Sequence, residues 1–252
     1  MIGALGLQVA GGLLTAEIKP GEHIQRHGFG LTFNIDTIYT SLIAATAVAL
    51  LSLVVLRNAS DRVPTKPQLI FETVTDQVKG YVESAVGHDV PVWLVPLGFA
   101  LFFFILFCNW LAWIPSGHNP EYLAPPTADT NLTFALTAIV VVLYTYLGFK
   151  RKGARYVTDW FRAKPAGIRT FILLLEQVVN PLSLSLRLFG NIFAGGIMLA
   201  VIALLPNYLM PVEAAFNFGW KLFDSGLIAP IQAFIFSFLT ILYFGMAVAE
   251  EH

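Results

Sequence analysis

The sequence predicts an all-α membrane protein, and three observations predict it: an apolar composition, five apolar stretches long enough to cross a bilayer, and basic residues gathered in alternate loops. Hydrophobic residues make up 56% of the 252 positions and charged residues only 12%, with a mean hydropathy of +0.70. Soluble domains run at roughly 45–50% apolar and 25% charged. The 15 Lys and Arg against 16 Asp and Glu leave a net charge of -1, so no nucleic-acid partner is expected. A single integral membrane domain over residues 1–252 follows.

Residues 1–35 form an external N-terminal segment. Its first 15 residues are apolar but lack the basic start of a signal peptide and are short for a span, so they are expected to stay as a leader touching the membrane surface. Residues 37–56 are the first ordinary span, 92–114 the second and 132–149 the third, because about 20 helical residues cover the roughly 30 Å hydrocarbon core. Between the first two, residues 68–87 place Ile70, Val74, Val78, Tyr81, Val82 and Ala85 on one helical face, with Glu72, Asp76, Lys79 and Glu83 elsewhere. This predicts an interfacial amphipathic helix. The last two apolar stretches, 168–205 and 219–249, would each reach about 45 Å or more at 1.5 Å per residue, so they must tilt strongly, bend or break. Proline and glycine cluster between elements, at Pro64 and Pro67, Pro115 and Gly117, Pro125 and Pro126, and Pro206 and Pro211.

Lys and Arg in short loops set the orientation. The loop after the first span carries Arg57, Arg62 and Lys66, and residues 150–169 carry Lys150, Arg151, Lys152, Arg155, Arg162, Lys164 and Arg169. Those loops read as cytoplasmic. Residues 115–130 have Glu121 and Asp129 without a basic residue, and 206–224 set only Lys221 against Glu213 and Asp224, so both read as external. Five crossings then leave the N-terminus outside and Glu250, Glu251 and His252 in the cytoplasm.

The fourth crossing holds the chemistry. Glu176, Asn180, Ser183, Arg187 and Asn191 are spaced by 4, 3, 4 and 4 residues, which confines them to an arc of roughly 80°. Arg187 lies about 15 residues or more from either end, a rise of over 20 Å that a snorkelling side chain does not bridge in an upright helix. Holding arginine there costs about 3 kcal/mol or more, and deprotonation offers no escape. It needs an anion. Glu176 is the nearest carboxylate on the stripe, but 11 residues along it is about 16 Å away. The spacing therefore favours an external or transient carboxylate over a pair within this chain. Gly190 and Ala194 form a small-xxx-small pair that admits a neighbouring helix, of this chain or of another. In the last helix Ser225, Gln232, Thr240 and Tyr243 fall near one face with Asp224 at its external entrance; Gln232 at mid-helix calls for a partner, an interhelical hydrogen bond included. Cys108 stands alone in an apolar run, and His23, His27, His88 and His118 sit in loops or at interfaces. No P-loop, GxSxG or metal-ligand spacing is present, so no cofactor and no catalytic constellation is expected.

The run Ser183-Leu-Ser-Leu-Arg187-Leu-Phe-Gly-Asn191 resembles the signature of subunit a of bacterial F-type ATP synthases, as does Gln232-Ala-Phe-Ile-Phe-Ser-Phe-Leu-Thr240-Ile-Leu-Tyr243. Asn34-Ile-Asp36, Asn109 and Pro126-Thr-Ala-Asp129-Thr-Asn131 are similar to its remaining landmarks. The resemblance implies a non-catalytic stator subunit of the Fo sector in a bacterial plasma membrane, with the c-ring, peripheral-stalk subunit b and the rest of the F1Fo complex as partners. It implies two offset proton half-channels, with Arg187 facing the ring carboxylates. Asn191 and Gln232 match channel positions beside it, Asn109 matches one on the external side, and Ser183, Gly190 and Ala194 would face the ring. It also implies that the two long helices pair as a hairpin following the ring. Gly196, Ser225, Ala112 and Leu173 depart from the common pattern, where glutamate, histidine, aspartate and glutamate respectively are usual. The expected substitutes are Asp224, Glu213 and Ser225 for the external half-channel and Glu176 for the cytoplasmic one. The competing reading is a secondary transporter with Arg187 binding an anionic substrate, which expects two related halves that this sequence lacks.

Overall fold

A computed structural model describes residues 25–28, 31–58, 66–86, 93–113, 125–153, 156 and 168–248. The expected N-terminal leader, much of the basic loops and the C-terminal Glu250, Glu251 and His252 lie outside these residues.

The chain enters through a short antiparallel hairpin, β1 (Gln25–Gly28) against β2 (Leu31–Asn34), with Gln25 opposite Asn34. This small sheet was not expected from the sequence. It leads directly into α1 (Ile35–Asn58), whose Asp36 in the first turn and Arg57 in the last oppose the helix dipole. α2 (Lys66–Val86) is amphipathic: Glu72, Asp76, Lys79 and Glu83 are exposed, while Val78 packs against the core. α3 (Leu94–Trp110) continues into a 3-10 turn, Leu111–Trp113. Exposed Trp93 stands at one end of that span and exposed Trp110 and Trp113 at the other. Some 17 to 20 residues of helix separate these indoles, about 25–30 Å, which is the spacing of the two aromatic belts of a bilayer.

α4 (Thr130–Lys152) is capped by Asp129 and ends with Lys150, Arg151 and Lys152 before Gly153, whose φ of 60° closes the helix. The Asp129 carboxylate is nearly fully buried and draws donors from β2, α1 and α4. Asn131 N–H donates to Oδ1 at 2.9 Å, while Asn34 Nδ2 and the Thr37 hydroxyl donate to Oδ2 at 2.8 and 2.9 Å. One carboxylate thereby fastens β2 and α1 to the start of α4, and these hydrogen bonds offset the cost of burying it.

α5 (Ile168–Ile202) runs for 35 residues with Pro181 inside it. Proline removes the bond to the Gln177 carbonyl one turn back, and Ser185 donates its hydroxyl to the Pro181 carbonyl at 3.1 Å. After a 3-10 turn at Asn207–Leu209, α6 (Met210–Phe223), a π-turn (Asp224–Ile228) and α7 (Ala229–Val248) form one nearly continuous rod. The helix begins at Met210, well before residue 219, because Pro211 falls in its first turn, where a missing N–H costs nothing and the fixed φ favours helix.

α7 is central, packed by α2, α3 and α4. Leu94, Leu101, Ile105, Val140, Tyr144, Phe236 and Phe244 are core residues on those helices. Gly98 lets three of them converge, since a Cβ there would meet Ile241 at 3.1 Å and Val78 at 3.7 Å. Among the described residues five helices are long and apolar enough to cross a membrane, and only 11% of the first and 22% of the fourth such stretch is buried within the chain. Surfaces so apolar and so open belong against lipid or another membrane protein.

Candidate functional site

The site lies where α5 and the α6–α7 rod run side by side. Arg187 and Gln232 line one crevice, closed by Leu184, Leu188 and Phe236, with no room for a water molecule. Two turns further along α5, Gly195 faces the Asp224 side chain; a Cβ at Gly195 would lie 3.5 Å from both carboxylate oxygens. Each pair of contacts is eight residues apart on both helices, and the order reverses. α5 and the last rod therefore pair as an antiparallel hairpin, in constant register between these two contacts.

Arg187 is exposed on this chain, as are Ser183 and Ala194, and the space around Gly190 is open. Exposed Leu186, Phe193 and Ile197 flank them, so nothing among the described residues covers this face of α5. Among the described residues no carboxylate pairs with the guanidinium; an ion pair of Lys79 with Glu83, at 3.9 Å, lies on the exposed side of α2. Asn191 is half-buried one turn beyond Arg187. Glu176 lies on the same helix, with its side chain outside the described residues.

Toward the other end, Asp224 and Glu213 are both half-buried. The rod carries them 11 residues apart, about 16 Å along its axis, so they occupy different depths. Asn109 is buried at the end of α3; its Oδ1 accepts from the Thr127 hydroxyl at 2.8 Å, and its Nδ2 has no partner among the described residues. Ser225 is buried as well, and its carbonyl accepts from the Trp110 indole N–H at 3.0 Å. Cys108 is a free buried thiol, and among the described residues no group of His, Cys, Asp and Glu could hold a metal ion.

A protein-family model described as "ATP synthase A chain" matches residues 38–245, which takes in every helix from α1 to α7. The chain belongs to the ATP synthase A chain family. ATP synthase subunit a of Acidothermus cellulolyticus is 42% identical over 238 residues, 94% of this chain and 85% of that protein. That of Mycobacterium marinum is 42% identical over 246 residues, covering 95% and 97%. That of Coxiella burnetii is 34% identical over 237 residues, covering 88% and 87%. As a member of the ATP synthase A chain family the chain is a multi-pass membrane protein, a subunit of an ATP synthase serving proton transport and ATP synthesis.

Two features of this A chain escaped the sequence reading. The π-turn at Asp224–Ile228 shifts the phase of the last helix, and its signal was Pro230, a proline inside an apolar helical run. The Trp110 donor had no signal, because an indole at a membrane interface needs no partner within the chain.

Proposed function

We propose that this chain is the stator of the Fo sector, passing protons through two offset half-channels to and from the carboxylates of a rotating c-ring, and so coupling proton flow to rotation and ATP synthesis. One observation carries the reading: Arg187 stands in an apolar span, exposed beside Gln232 and small residues, with no paired carboxylate among the described residues. A permanent cation so placed requires an anion that arrives from outside the chain. Ring carboxylates moving past the open face at Ser183, Gly190 and Ala194 meet that need one at a time.

The chemistry follows. A ring carboxylate must lose its proton to enter the polar interface, and the guanidinium favours its anionic form through a charge-assisted contact. The same fixed charge repels protons and keeps the half-channels apart. Each charge carried across the field gains about 2.3 kcal/mol per 100 mV, so the proton-motive force supplies direction. Asp224, with Glu213, Asn191, Ser225 and Asn109, serves the external half-channel. The Asn109 Nδ2, without a partner among the described residues, supports water there, since a buried amide in a membrane needs a partner. Glu176 serves the cytoplasmic half-channel. Peripheral-stalk subunit b holds the chain against the ring, in a bacterial plasma membrane with the N-terminus outside and the C-terminus inside.

Reconstitution with and without the c-ring tests this. Proton conduction should appear only with the ring; conduction by the chain alone, unchanged when the ring is added, would mark a transporter. If Asp224→Asn and Glu176→Gln each leave proton-driven ATP synthesis unchanged, the assignment of the half-channel carboxylates is wrong.

A further inference from the structure

Asp224 and Gln232 meet the same helix, α5, although eight residues of unbroken α-helix turn through about 800° and leave two such side chains about 80° apart. The π-turn between them resolves this. It absorbs one extra residue, about 100° of rotation, and brings the two onto one face to within about 20°. Its bonding shows how it is held. Ala229 N–H donates to the Asp224 carbonyl, five residues back. The next bond of that kind would run from residue 230 to the Ser225 carbonyl, but residue 230 is proline and has no N–H. The Ser225 carbonyl is therefore stranded at a buried residue, and the Trp110 indole N–H fills the vacant place at 3.0 Å.

We infer that Trp110 is a positioning residue: by capping the Ser225 carbonyl it holds the π-turn that aims the Asp224 carboxylate at Gly195 on α5. The functional half of this inference rests on the reading of Asp224 as a half-channel carboxylate; the geometric half does not. Losing the donor leaves a buried carbonyl unpaired, and the turn can recover a bond only by shifting its register, which swings Asp224 off the α5 face. Gly195 leaves room for that carboxylate, and its own Cβ position is close enough to report where residue 224 points.

The test uses the full complex in native membranes, with Cys108→Ser to remove the background thiol. A Gly195→Cys/Asp224→Cys pair should form a disulfide on mild oxidation. Adding Trp110→Phe, or Trp110→Tyr whose donor is displaced outward, should lower the yield several-fold, and Trp110→His, which keeps a ring N–H at similar reach, should restore much of it. An equal yield with and without the indole donor, or no disulfide with Trp110 in place, overturns the inference. In a second arm Trp110→Phe alone should slow proton-driven ATP synthesis several-fold at normal assembly, and should add nothing to Asp224→Asn. Losses that multiply would mean Trp110 acts independently of Asp224, against the inference. Normal synthesis by Asp224→Asn alone overturns the proton-access role and leaves the disulfide arm to decide the aiming.

Discussion

At the scale of single residues, Arg187 was legible because it breaks an apolar pattern. A permanent cation about 20 Å from either end of its helix is expensive, and the cost can be read without coordinates. The structure adds the neighbours that spacing could not supply: Gln232 across the crevice and open space around Gly190. Asp224 is the opposite case. Its position in sequence was plain, but its direction depends on a π-turn and on a tryptophan more than 100 residues earlier, and neither leaves a periodic trace. The chemistry at residue 187 makes a graded prediction. Lysine carries the same charge but deprotonates when desolvated and lacks the planar fork. Arg187→Lys should assemble normally yet reduce ATP synthesis by about tenfold or more, the loss that about 1.4 kcal/mol at the rate-limiting step produces. Synthesis by membrane vesicles at matched complex content checks it; a normal rate would mean that charge alone suffices.

Among the elements, long apolar periods made α1, α3, α4 and α5 readable, because crossing a bilayer imposes a length. Connections were harder. Residues 206–224 read as an external loop for their prolines and charges, whereas Pro211 opens a helix that runs through them. The β1–β2 pair is four residues a side, too short for its alternation to stand out. Contacts between elements offer a sharper test. Gly148 on α4 faces buried Tyr156, and a Cβ there would lie 2.7 Å from the ring Cδ2 and 2.8 Å from Cζ. Phe149 holds the ring from the side at a centroid distance of 5.2 Å. Gly148→Ala should therefore destabilise the chain by about 1–3 kcal/mol through overpacking. Thermal unfolding of the detergent-solubilised complex should show a lower midpoint, and Tyr156→Leu in the same chain should recover part of the loss.

For the whole molecule, the basic loops predict a direction in the membrane that coordinates alone do not contain. Lys150 ends α4 beside Arg151 and Lys152, while Tyr208 is 82% exposed at the opposite turn. With Cys108 replaced by serine, Lys150→Cys should react with an impermeant thiol reagent only in inverted vesicles. Tyr208→Cys should react only in right-side-out cells or vesicles. The reverse pattern would invert the topology and exchange the two half-channels. In the proposed function the helices set the proton path and Arg187 divides it. Proton-driven ATP synthesis by vesicles carrying the complete complex with Arg187→Ala tests that division most directly. The account predicts that synthesis falls to background while assembly and ATP hydrolysis by the catalytic sector persist; synthesis at the normal rate would contradict it.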